Sequence, residues 1–135
     1  MQLTSKEKFY AHWIGQASWA GARIVSEQMT SYATKLLDLL LYTFSDRDGE
    51  YSNLSSLKSA SGVSEEAWKA ATTYAAQALT NLCNYKSFGH SKFIPRCSAG
   101  DFEAIIKSSP NSDKALPLWS EVGSGLTDHC SYRIK

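Results

Sequence analysis

An excess of charge of either sign is missing from this sequence. Lysines and arginines number 14 against 13 aspartates and glutamates, which leaves a formal net charge of +1. Nucleic acid or an acidic membrane would call for a clustered basic face, and neither partner is expected. Cysteine is scarce as well: Cys83, Cys97 and Cys130 are odd in number and irregularly spaced. That excludes a disulfide framework and reads as reduced thiols in a cytoplasmic chain. The first residues, MQLTSKEKFY, turn polar at once, so no secretory apolar segment is expected. Without one, the match of Asn53-Leu54-Ser55 to a glycosylation acceptor is read as chance. No long hydrophobic run exists. The longest, residues 36–44, is interrupted by Asp38 and is too short to cross a bilayer.

Catalytic constellations are absent too. There is no G-x-S-x-G elbow, no G-x-x-x-x-G-K loop and no G-x-G-x-x-G after a strand. The acidic run Asp46-Arg47-Asp48-Gly49-Glu50 starts like a calcium loop but has no glutamate at its twelfth position. His90, Cys97, His129 and Cys130 match no standard zinc spacing. His12, beside Trp13, reads as a surface or core group and not as a ligand.

What is present is helical patterning. The 135 residues make one domain's worth of chain, with 43% hydrophobic and 20% charged residues, as in a soluble globular protein. Thr4 and Glu7 have capping-box spacing, and Phe9, Trp13, Ile14, Ala17, Ala20 or Gly21, Ile24 and Val25 follow at helical intervals. Gly15 and Gly21 inside that pattern call for a closely approaching neighbour helix. Ser31 can cap a second helix, TKLLDLLLYTF, apolar nearly all round and hence buried or covered. Residues 51–60 read as a short helix closed by Ser61-Gly62. Ser64 caps the clearest helix, with Val63 placed to staple onto Trp68 and with Trp68, Ala71, Ala75, Leu79 and Leu82 as its stripe. Ser98 and Asp101 cap a helix over residues 102–107, and a last short helix starts or breaks near Pro117. Gly123-Ser124-Gly125 reads as a flexible linker into an irregular tail.

Between the long capped helix and the later ones lies the stretch NYKSFGHSKFIP, residues 84–95, with no clear period. Gly89 can take a positive φ and Pro95 biases Ile94 toward extended geometry, so a turn followed by an extended piece is expected. On spacing alone it is either an exposed binding loop or a connector with Phe88 and Phe93 tucked into the core.

This stretch, together with KEKFYAHWIGQASWAG and EEAWKAATTYAAQALTNLCNYKSFG, resembles the N-terminal region of the dipeptidyl peptidase III family of zinc exopeptidases. The resemblance covers residues 5–119 and only a small early part of a longer enzyme. It implies an all-α fold of about five helices in an irregular bundle, belonging to the lobe opposite the zinc. The domain expectation is a helical unit over residues 1–122 and a tail over 123–135 without resemblance, read as the product of a shifted frame or an unspliced segment.

In the family, zinc sits on an H-E-x-x-G-H helix and a later glutamate, and neither motif is here. No catalytic residue, no metal ligand and no cofactor is therefore expected in this chain, although the complete family carries zinc. The resemblance implies that the loop approaches a cleft where peptides dock, which makes Phe88, Gly89, Lys86 and Asn84 the candidate substrate-binding residues. Phe88 would contact the N-terminal end of a peptide, Gly89 would allow the turn, and Lys86 and Lys92 would anchor the loop. His90 departs from the acidic residue of the family at this position. The chain is thus expected to be part of an enzyme releasing dipeptides from the N-termini of oligopeptides. It would be inactive alone, with peptide and the rest of the lobe as partners only in the complete enzyme. The alternative is an independent helical interaction module.

Overall fold

The computed structural model describes residues 3–86 and 91–127. Seven helices form among the described residues: α1 (Ser5–Ala20), α2 (Ala22–Met29), α3 (Ala33–Phe44), α4 (Leu54–Ser61), α5 (Glu65–Asn81), α6 (Ala99–Lys107) and α7 (Ser112–Thr127). The expected all-α class holds. Besides the helices, two isolated antiparallel bridges join Ser45 to Tyr51 and Tyr85 to Lys92.

Local signals in the sequence set most helix starts. Thr4 forms the full capping box: its hydroxyl accepts from Glu7 N–H, and the Glu7 carboxylate accepts from Thr4 N–H at 2.7 Å. Asn53, Ser64 and Ser98 cap α4, α5 and α6 in the same manner. Ser31 does not cap α3; Tyr32 takes that position with no side-chain cap. The first helical pattern is broken in two at Gly21, which ends α1 and opens α2. The linker reading of Gly123-Ser124-Gly125 also fails, because α7 continues through all three to Thr127 and buries Leu126 completely. Gly123 has a packing reason. A Cβ there would come within 3.0 Å of the Trp119 ring, which lies across α7 at that point.

α3 is the spine. Leu36, Leu37, Leu39 and Leu40 are all buried, and α2, α5 and α7 pack around them. Asp38, the interruption in the apolar run, receives both guanidinium nitrogens of Arg23 at 2.5 and 3.2 Å and so ties α2 to α3. Lys35 with Glu121 ties α3 to α7. The main core continues through Ala71, Tyr74, Ala75 and Ala78 of α5, and Phe102, Ile105 and Ile106 of α6. Phe102 stacks on Trp119 at 5.4 Å and meets Tyr74 edge-on at 5.9 Å.

The acidic run after α3 makes a closed turn. Asp46 Oδ1 accepts from the backbone of both Asp48 and Glu50 at 3.0 Å, and Gly49 takes φ +84°. Asn111 reaches across from the turn before α7 and donates to the carbonyls of Ser45 and Asp46. The Asp46 carboxylate therefore organises a turn.

The aromatic junction sets the first expected outcome. Phe102→Ala should destabilise the chain by about 3–5 kcal/mol, whereas Leu41→Ala, on the exposed side of the same bundle, should cost less than about 1 kcal/mol. Urea unfolding of both variants, followed by circular dichroism, would show equal losses if the core were not centred on Phe102.

Candidate functional site: a hairpin pinned at its base

α5 delivers the chain into the stretch singled out by the sequence. Its last position, Leu82, adopts the left-handed conformation (φ 56°). A branched side chain there costs about 1 kcal/mol or more, and the bend it makes turns the backbone back toward α2 and α3. From Asn84 the chain forms a short hairpin. Phe93 N–H donates to the Asn84 carbonyl at 2.9 Å, Tyr85 bridges Lys92, and Lys86 N–H donates to the Ser91 carbonyl at 3.0 Å. Residues 87–90, between the two arms, lie outside the described residues, and Phe88, Gly89 and His90 are among them.

The base is set deep in the protein. Cys83, Asn84 and Tyr85 are buried, and Cys83 and Tyr85 make a second small core with Ala33, against which Met29 and Tyr32 pack. The Asn84 side chain accepts from the Tyr32 hydroxyl at 3.0 Å. Asn84 also borders the Tyr74 hydroxyl, and neither that oxygen nor Asn84 Nδ2 completes a hydrogen bond. Burial pushes the Tyr32 and Tyr74 hydroxyls well above the ordinary phenol range, and neighbouring tyrosines add to the effect. On the other arm, Phe93 is half-buried and meets the Tyr74 ring edge-on at 5.8 Å. The Lys92 ammonium donates to the Gly125 carbonyl of α7 at 2.5 Å, near the negative end of that helix.

The four candidate residues therefore part company. Asn84 is completely buried, the opposite of an exposed contact group. Lys86 is exposed on the arm leading to the tip. Phe88 and Gly89 lie outside the described residues, while Phe93 shows the inward packing that the connector reading expected of it. Lys92 takes the anchoring position. Two residues that matter here went unnamed in the sequence reading, Tyr32 and Tyr74. Tyr74 falls one position from Ala75 on the α5 stripe, and only its polar tip among alanines could have drawn attention to it.

Nothing else among the described residues gathers the groups that chemistry needs. No three His, Cys, Asp or Glu side chains come together in a way that could hold a metal ion there. A shallow recess of about 250 Å³ between Ser52, Leu57 and Pro110 lies on other elements and contains no hairpin residue. No helix among the described residues is long and apolar enough to cross a membrane. In class, then, the described residues form an all-α unit whose singular feature is a hairpin gripped at its base.

Comparison with known proteins gives this unit its relatives. The chain is 37% identical over 123 residues to dipeptidyl peptidase 3 of Nematostella vectensis, covering 88% of this chain and 17% of that protein. It is 37% identical over 119 residues to dipeptidyl peptidase 3 of Dictyostelium discoideum and 31% identical over 125 residues to that of Homo sapiens. No family model matches. The chain is homologous to a part of dipeptidyl peptidase 3, and it spans about a sixth of the length of these relatives, 16–17%.

Two outcomes follow for the base. Tyr32→Phe removes the donor to a buried acceptor and should cost about 1–3 kcal/mol, whereas Tyr74→Phe removes a hydroxyl with no partner and should be neutral or slightly stabilising. Urea titration of both would contradict this if the order reversed. Because folding holds both hydroxyls above their unfolded value near 10, their titration leaves stability unchanged below pH ~10 and lowers it as pH rises beyond that value. Thermal melts between pH 8 and 11.5 should show the fall beginning near pH 10, and a smaller fall in a Tyr32→Phe, Tyr74→Phe double variant.

Proposed function

We propose that this chain is a portion of a dipeptidyl peptidase 3-like enzyme and serves it as part of the wall along which peptides dock. The observation that carries the reading is the 37% identity over 88% of the chain to dipeptidyl peptidase 3. The hairpin gives it a mechanism. A binding tip is useful only if its position is fixed, and Asn84, Tyr85, Phe93 and Lys92 fix both arms from within the bundle. Phe88 then presents an aromatic face to the N-terminal end of an oligopeptide, and Gly89 allows the bend beside it. Lys86, exposed on the rising arm, is close enough in sequence to contribute. Asn84 acts as a positioning residue through the hairpin.

We infer that the zinc of such an enzyme is held by other parts of it. The donor set required, histidines with a carboxylate at hand, is not assembled among the described residues. The reaction, release of dipeptides from oligopeptide N-termini, belongs to the complete enzyme, and the portion described here contributes binding and orientation. The isolated 135-residue chain should release no dipeptide and retain no stoichiometric zinc after dialysis.

The test is a chimera in which this chain replaces the matched segment of the Nematostella relative. With a dipeptidyl chromogenic substrate, Phe88→Ala in that chimera should raise KM about tenfold and change kcat less than about threefold, the pattern of lost uniform binding. Unchanged constants would remove Phe88 from the site. Dipeptide release by the isolated chain would overturn the reading as a whole.

A further inference from the structure

We propose that α1 and the beginning of α2 form a docking ridge, and that its occupant is the rest of a dipeptidyl peptidase 3-like polypeptide. The inference rests on the homology above and is independent of the hairpin's role.

α1 buries none of its residues. Its packing is against α2, and it has no comparable contact with another helix. Phe9, Tyr10, Trp13 and Trp19 each keep 64–69% of their surface exposed, and Ile14 of α1 with Ile24 and Val25 of α2 are exposed as well. An exposed aromatic cluster of this kind on a chain with its own core marks an interaction surface.

The arrangement of these side chains selects the occupant. At 3.6 residues per turn, Phe9, Trp13, Ala17 and Ala20 fall on one flank with Tyr10 and Ile14 beside them, while Trp19 falls directly across the helix from Tyr10. A second copy pairing about a two-fold axis would cover one patch and leave the other wet. A helix apolar on opposite flanks is suited to being embedded among several elements. Gly15 adds a separate observation. It sits mid-helix, where glycine costs about 1 kcal/mol against alanine, yet a Cβ there would meet nothing within 4 Å. This chain's own packing does not require that glycine, whereas a neighbour approaching the α1 backbone closely would. The relatives supply the source of such neighbours, since 83–84% of their length has no counterpart here.

The experiment compares hydrogen exchange across residues 5–20 in the isolated chain and in the Nematostella chimera. In the isolated chain α1 amides should exchange fast. In the chimera they should slow at least about 100-fold, with tryptophan emission shifted to shorter wavelength, and Trp13→Asp with Trp19→Asp should abolish the protection. Equal exchange in both proteins overturns the proposal. So does a chimera that fails to assemble while the isolated chain folds, because the ridge then does not fit. Protection of α1 in the isolated chain that rises with its own concentration assigns the ridge to a second copy, and protection only on phosphatidylglycerol vesicles assigns it to a membrane surface; both overturn it. A chimera with α1 protected but kinetics indifferent to Phe88→Ala keeps the ridge and removes only the hairpin reading.

Discussion

A helix with leucines on nearly every side cannot remain at a surface, and α3 imposes that constraint on the rest of the bundle. Burying Leu36, Leu37, Leu39 and Leu40 together requires neighbours around the helix, and α2, α5 and α7 supply them. Polar groups on α3 must then be satisfied at close quarters. Thr43 donates back to the Leu39 carbonyl at 2.7 Å, and Asp38 draws Arg23 across from α2. Because Tyr32 stands at the head of α3, the placement of this spine also decides where the hairpin is held. The candidate site is attached to the most constrained element of the chain.

Helix starts were legible because capping is a local event. Thr4, Ser64 and Ser98 each satisfy backbone donors within three residues, and such spacing survives in any context. Ser31 failed where the head of α3 is fixed by what Tyr32 touches, a partner 52 residues away. Pro117 and the glycines at 123 and 125 misled in the opposite direction. Each reads locally as a boundary, yet α7 passes through all of them because Leu126 has a buried place to reach and Trp119 needs the space at Gly123. The hairpin was legible only as a turn with an extended piece. Its ladder is too short to leave an alternating pattern, and the groups that pin it lie on α3, α5 and α7.

Fixing a hairpin by its arms divides the labour between residues that never meet a ligand and residues that can. Cys83, Asn84 and Tyr85 are sealed, so substitutions there act through the hairpin's position and through stability. The buried amide between two tyrosines is a specific and costly anchor, since part of its hydrogen-bonding capacity is unmet. An apolar residue at position 84 would pack more easily but would not fix which way the base faces. A polar group retained at such expense is reasonable where register matters more than stability.

α1 presents the complementary case, in which every local rule is met and the tertiary one is not. Its capping box is complete, yet a capped helix of 16 residues is marginal in water when it has only one neighbour to lean on. Tertiary packing ordinarily supplies most of a helix's stability, and α1 keeps its four largest rings outside the core. The core built on α3 is already closed by α2, α5 and α7, so it offers α1 no vacant face. Folding α1 down would in any case cover one flank and leave Trp19 or Tyr10 in water. On the docking proposal, the surface that orders this helix lies beyond the bundle and is large enough to reach both flanks.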